Sequence, residues 1–254
     1  FAEKGGVVIA DALAGVMDEH CAWREEGLLN DFFGIKAAAS SARVATAPTG
    51  PAADIEVKAT AEGIVWGLKS EGLTGLQAVE TDLKAADGVA LVTIGDADAV
   101  IVKKNGKGLA VYLNTLLDTY DAMRRKDYGG ASHRALVSAL LARAGVAPAI
   151  SVLTPGGSQL GQAQVVRYQF GDSLVLAILK ENVEGVVGRD GVTTYNDANL
   201  GQVARQEITI RLPEKFYVAD VRTGEKLGYT DEVKTSVTAG GAAVFGLSRS
   251  RISL

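Results

Sequence analysis

The stretch best equipped for chemistry is Asp18-Glu19-His20-Cys21, with Trp23 two residues further on. Two carboxylates beside an imidazole could ligate a metal or hold sugar hydroxyls, an indole could stack on a sugar ring, and a thiolate could attack a carbonyl if a histidine lay within reach. The spacing weakens each of these. The chain has two histidines, His20 and His133, and one cysteine, so a metal would have to recruit ligands from distant segments. Cys21 lies in a polar loop without the Gly-x-Cys-x-Gly turn that presents a nucleophile between strand and helix. Gly106-Lys107-Gly108 matches neither phosphate-binding glycine pattern, and an apolar strand rather than a helix follows it, so it reads as a hairpin turn. Glycoside hydrolysis needs two carboxyl groups roughly 5 to 10 Å apart, and the 30 acidic residues include no recognisable pair. No catalytic residue, cofactor-binding residue or metal ligand is therefore assigned. Asp18, Glu19, His20 and Trp23 stand as a loop that contacts a neighbouring domain or a sugar, beside the plainer reading of a solvated loop. Trp66, Met17 and Tyr112 read as core.

The elements around these residues follow from periodicity. Val7–Ala10 is a short apolar run behind glycines, as suits a parallel strand covered on both faces, and it sets Asp11 at its carboxyl end. Leu28, Leu29, Phe32 and Phe33 are spaced for one face of a short helix that Gly34 ends. Residues 40–54, with two of the five prolines and many small side chains, read as a loop. IEVKA, GLQAVE, VALVTIG and AVIVKKN then read as short strands, and Asn105-Gly106 signals a hairpin into LAVYLN. Ser132 is placed to cap a helix carrying Leu136, Val137, Leu140, Leu141 and Ala144 on one face, with Gly145 as its stop. Beyond it AISVLT, AQVVRYQF, SLVLAILKE, QEITIRL, KFYVADV and AAVFGLS are strand-length runs separated by Gly-Asp, Thr-Gly and Gly-Gly turns, which predicts an antiparallel sandwich. The texture changes near residues 145–150, giving domains of 1–147 and 148–254.

Composition narrows the partners. A formal charge of -4 in mixed signs, with no cationic stripe, excludes a phosphate-neutralising surface and so disfavours nucleic acid and anionic membranes. No apolar stretch approaches the roughly 20 residues that cross a bilayer. One cysteine permits no internal disulfide and sets no compartment. The apolar run Val7–Ala10 follows Phe1 with no leader or cap, which leads us to expect a further segment upstream.

FAEKGGVVIAD, DEHCAWREEGLLNDFFGI, KKNGKGLAVYLN and VADVRTGEKLGYTDEVKTSVTAGGAAVFGL, in that order, resemble the region that follows the catalytic barrel in the trimeric β-galactosidase-like glycoside hydrolases of family 42. The resemblance spans nearly the whole chain. It implies a partial α/β domain of flavodoxin-like, class I glutamine-amidotransferase-like fold and trimerisation type, followed by an all-β antiparallel domain. It also implies that the two catalytic glutamates lie on a barrel outside this chain. The expected role is then structural and oligomerising, with a homo-oligomer, a trimer by resemblance, or an upstream segment of the same protein as partner. The alternative is a carbohydrate-binding or surface-assembly module with no glycosidase attached.

Overall fold

The computed structural model describes residues 1–37, 55–117, 120, 130–161, 163–180, 185–187, 193–195, 205–238 and 240–251. The loop expected over residues 40–54 falls outside them. The described residues up to Ala147 form one compact unit, and those from Pro148 form a second.

The first unit is built on a five-stranded sheet of β1 (Val7–Ala10), β7 (Gly108–Leu113), β6 (Ala97–Asn105), β5 (Val89–Ile94) and β3 (Val57–Ala59), in that order. As expected, β1 is parallel, pairing Val7 with Leu109 through Ala10 with Tyr112. The other three pairings are antiparallel. A second, two-stranded sheet joins β2 (Ile35–Lys36) to β4 (Lys84–Ala85). The sheet's centre reads as continuous apolar sequence because both of its faces are covered. One face packs Leu91, Val100, Val111 and Leu113 against Trp66, Leu68, Leu73, Leu76, Leu136 and Leu140. The other packs Ile101, Ala110 and Tyr112 against Phe33, Ile35 and Leu83. Each fully buried leucine, isoleucine, valine or phenylalanine among them contributes about 1.5–3 kcal/mol of transfer free energy. β1 departs from the expected full burial: it ends the sheet, and its four residues are half-buried.

Among the described residues three α-helices of four residues or more serve this sheet. α1 (Asn30–Phe33) stops at Gly34, whose φ of 67° is the left-handed value that glycine accepts without strain. α2 (Ala61–Val65) is capped by the Thr60 hydroxyl, which accepts from the Gly63 N–H at 3.1 Å. α3 (Ala131–Arg143) buries His133, Leu136 and Leu140 and closes on Gly145, with Gly145 N–H donating to Ala142 and Val146 N–H to Leu141. Ser132 is not its cap. Gly130 holds that position, and the Ser132 hydroxyl instead donates to the Thr74 carbonyl. The segment GLQAVE is not a strand either: residues 75–80 follow an irregular path, with Val79 N–H bonded to the Asn114 carbonyl.

The second unit is antiparallel throughout. Its main sheet runs β14 (Lys226–Val237), β13 (Gln206–Asp220), β15 (Ala242–Ser248), β10 (Ser173–Lys180) and β9 (Ala163–Phe170), and β8 (Ser151–Leu153) also pairs with β13. A separate ribbon joins β11 (Gly185–Val187) to β12 (Thr193–Tyr195). QEITIRL and KFYVADV, read as two strands, are one strand whose register breaks between Arg211 and Phe216, around Pro213. Proline cannot donate to a ladder, so the strand bulges there. On either side of that break β13 carries β8 and β15, so among the described residues the antiparallel sheet curls around Ile208, Ile210, Phe216, Val218, Phe245 and Leu247.

Candidate functional site

In the first unit the parallel pair of β1 and β7 ends where Asp11, Leu13, Glu80, Asp98, Tyr112 and Asn114 converge. Leu13 has a φ of 68°, a conformation that costs a leucine roughly 1–2 kcal/mol. Its N–H donates to the Tyr112 hydroxyl at 2.9 Å, and that hydroxyl donates to Glu80 Oε1 at 3.3 Å. Asn114 clamps the Glu80 backbone from both sides: its Oδ1 accepts from Glu80 N–H at 2.8 Å and its Nδ2 donates to the Glu80 carbonyl at 2.7 Å. The same Nδ2 reaches the Asp98 carbonyl at 3.2 Å. The Asp98 carboxylate accepts from Ala85 N–H at 2.7 Å, and the Asp11 carboxylate from Leu117 N–H at 3.3 Å.

These groups hold loops. Asp11, Asp98 and Asn114 each spend side-chain atoms on backbone partners of other segments, and Asn114 and Tyr112 are fully buried. The Tyr112 ring is core, as expected, whereas no sequence motif marks Glu80, Asp98 or Asn114. A usable signal was present at Asn114, a polar residue closing the apolar run of β7 with its Cβ on the same side as Tyr112.

The loop after β1 brings Asp18, Glu19, His20 and Trp23 together in a tight reversal closed by an antiparallel bridge between Met17 and Trp23. Asp18 braces it: its Oδ1 accepts from both His20 N–H and Ala22 N–H at 2.9 Å. Those two bonds, Ala22's first, hold the Asp18 carboxyl below its usual value. Arg24 Nε donates to the Met17 carbonyl at 3.3 Å, and its Nη2 lies 3.9 Å from Glu19. Glu19, His20, Cys21 and Trp23 are exposed, and Cys21 has a φ of 60° with no helix following it. Among the described residues no group of three or more histidine, cysteine or acidic side chains could hold a metal. The other tryptophan, Trp66, is buried as expected, its Nε1 donating to Glu62 and Arg143 lying over its ring.

Two outcomes follow. Replacing Asp18 with alanine removes both turn bonds, so faster proteolysis and amide exchange are expected over residues 17–23, with the thermal transition unmoved because the loop is outside both cores. Because the folded carboxyl is the stronger acid, Asp18 supports the folded loop above its unfolded pKa, and that support fades as pH falls through the folded one. His133 titrates the other way. Burial pushes its imidazole below the ordinary value against a backbone bond at Leu116, with Arg134 adding to the depression. The unfolded chain therefore binds the proton first, so stability is expected to fall as pH drops below about 6.5, the ordinary histidine value. In His133→Gln, urea titrations between pH 7.5 and 5.5 should lose that acid-side slope.

No family model matches the chain, and no curated protein matches it. Solved structures do. A GH42 β-galactosidase from G. stearothermophilus aligns over 97% of this chain and 28% of its own length, with 16% identity and a TM-score of 0.57. A β-galactosidase from Bacillus circulans sp. alkalophilus aligns over 97% and 30%, with 14% identity and a TM-score of 0.57. A β-galactosidase from Rahnella sp. R3 aligns over 97% and 29%, with 18% identity and a TM-score of 0.52. The chain thus spans less than a third of the length of these enzymes. Among the described residues no helix is long and apolar enough to cross a membrane. In fold, this β-rich chain resembles a part of the GH42 β-galactosidases.

Proposed function

We propose that the chain is the non-catalytic, structural and oligomerising region of a β-galactosidase-like glycoside hydrolase whose catalytic barrel precedes it. In this reading residues 1–147 are a partial amidotransferase-like, flavodoxin-like domain of trimerisation type, and residues 148–254 are the C-terminal β domain. The observation that carries the reading is the structural likeness over 97% of this chain against about 30% of each β-galactosidase. The engagement of Asp11, Asp98 and Asn114 in loop support agrees with it. The parallel pairing of β1 and β7 is what an α/β domain of this kind would contribute at its edge. The loop bearing Asp18, Glu19, His20 and Trp23 would then meet the barrel or a neighbouring subunit, and a sugar reaches it only through that contact. A carbohydrate module without a glycosidase has no comparable support in the likeness.

The test is the sequence preceding Phe1 together with assays of both forms. A barrel with two catalytic glutamates, galactoside hydrolysis by the joined protein and none by the 254-residue chain, and sedimentation of the joined protein as a trimer are the expected results. Hydrolysis by the 254-residue chain, or a joined protein that sediments only as a monomer, would overturn the reading.

A further inference from the structure

In the first unit an acid or its amide stands before a glycine at Asp87-Gly88 and at Asn105-Gly106, the latter being the chain's single Asn-Gly step. A glycine nitrogen, with no side chain beside it, can attack the carbonyl carbon of the preceding side chain and close a five-membered succinimide. The structure treats the two steps differently. Lys103 Nζ lies 2.7 Å from Asp87 Oδ2, and its hydrogen bond holds the Asp87 carboxyl below its ordinary value. Asp87 is therefore an ionised carboxylate, which resists nucleophilic attack. The Gly88 N–H is engaged as well, donating to the Gly34 carbonyl at 3.1 Å.

Asn105 has neither protection. Its amide is neutral at any ordinary pH. Asn105 and Gly108 close a two-residue hairpin loop, so the ladder ends at Asn105 and the Gly106 N–H, one residue further on, has no place in it. Gly106 is exposed, which leaves that N–H open to a base in solvent. Two contacts restrain the reaction instead of forbidding it. Asn105 Nδ2 donates to the Phe32 carbonyl at 3.0 Å, which anchors the amide. Gly106 lies against the chain's first turn, where a Cβ on it would come 2.8 Å from Glu3 Cα. Ring closure also requires Asn105 to leave the extended backbone of β6, so the reacting state is one in which the hairpin end has opened.

We propose that Asn105 is a site of spontaneous deamidation, gated by local opening of the β6–β7 hairpin end. The Gly106 nitrogen gives its proton to solvent and bonds to Asn105 Cγ. The Cγ–Nδ2 bond then breaks, and the side-chain nitrogen takes up a proton from solvent and leaves as ammonia. Water adds to either carbonyl of the succinimide, giving aspartate or isoaspartate at position 105 with no change of oxidation state. Both products undo what Asn105 holds. Aspartate turns an acceptor toward the Phe32 carbonyl in place of the Nδ2 donor. Isoaspartate adds a methylene to the main chain at a hairpin end that is already full, since a Cβ at Gly108 would lie 2.0 Å from the Gly6 carbonyl oxygen. The modification thus loosens α1 and the first turn from the hairpin.

The experiment ages the 254-residue chain at mildly alkaline pH, with and without urea, and maps its peptides by mass. It does not depend on the glycosidase reading. In the folded chain the mass gain of amide-to-acid conversion is expected at Asn105 before Asn30 or Asn114, with isoaspartate detectable by enzymatic methylation. Urea should accelerate it at least about tenfold, because the restraints of the hairpin end are gone. Asn105→Gln, which could cyclise only to a six-membered ring, should abolish the gain in that peptide. Asn105→Asp should reproduce in fresh protein the faster amide exchange of the aged chain at Gly34 and Leu109, whose N–H groups donate to the Asp31 and Gly6 carbonyls. An Asn105 that stays amidated in the folded chain while reacting in urea, a folded rate equal to the rate in urea, or earlier reaction at Asn30 or Asn114 would each overturn the proposal.

Discussion

Asn114→Ala is expected to cost the first unit about 3–5 kcal/mol, since it takes their Asn114 partner from the buried Glu80 N–H and carbonyl and from the half-buried Asp98 carbonyl, at about 1–3 kcal/mol per buried group. Asn114 is fully buried and Glu80 is 5% exposed, so water cannot replace the lost partners without opening the site. Such a loss is a large part of the roughly 5–15 kcal/mol that holds a typical domain together. Urea denaturation of the 254-residue chain should show the transition of the first unit moving to much lower denaturant. Asn114→Asp separates the polar from the packing contribution. It keeps an acceptor for the Glu80 N–H but turns the donor that faces the Glu80 and Asp98 carbonyls into a second acceptor. It is therefore expected to be about as damaging as alanine although it leaves no cavity. Tyr112→Phe should be milder, losing the hydroxyl between Leu13 and Glu80 while keeping the ring packed beside Phe33. If alanine at 114 shifted the transition no further than phenylalanine at 112, the clamp would not be what fixes the path of residues 79–80.

That clamp marks the limit of what could be read from the sequence. β1, β5, β6 and β7 were legible as short apolar runs set between glycines and other turn residues, and α3 was legible from Leu136, Leu140 and the Gly145 stop. The Glu80 segment was not. Its alternating small and apolar residues mimic a half-buried strand, while its actual path is set by Asn114, 34 residues later in the chain. β14 was missing from the periodicity reading for the opposite reason. Half of its twelve residues are exposed, and its extended form comes from the ladder with β13. Ser132 had the right chemistry for a cap, but Gly130 already occupied that position and the Thr74 carbonyl offered the hydroxyl another partner. As for the candidate site, the sequence identified Asp18 through Trp23 as one loop, and the structure makes that loop a single turn. The role of Asp18 as its brace depends on two N–H groups converging on one oxygen, which residue types alone do not encode.

The Gly106-Lys107-Gly108 turn was legible as a hairpin, yet the reason for its second glycine lies elsewhere in the chain. Asn105 and Gly108 pair across the turn, and Gly106, at a φ of 60°, takes the position that requires the left-handed conformation. Gly108 has no such requirement. A Cβ there would lie 2.0 Å from the Gly6 carbonyl oxygen and 2.3 Å from that of Ala2, both backbone atoms that cannot rotate aside. The opening turn of the chain, Ala2–Lys4, lies against this hairpin, with Lys107 N–H donating to the Glu3 carbonyl at 3.2 Å and Leu109 N–H to that of Gly6 at 3.1 Å. Gly108→Ala must therefore push residues 2–6 away from β7, and the parallel pairing of β1 begins at the very next residue. A loss of about 3 kcal/mol is expected, the upper end of what overpacking costs. Amide exchange should show Val8 and Ala10 losing protection before β5 and β6 do. The cause can be isolated by a cycle. In a chain lacking residues 1–6 the obstructing carbonyls are gone, and the same substitution should be neutral or slightly stabilising, since glycine is a poor strand residue. An equal penalty in both backgrounds would place the constraint within the hairpin and not in the close approach of the chain's first turn.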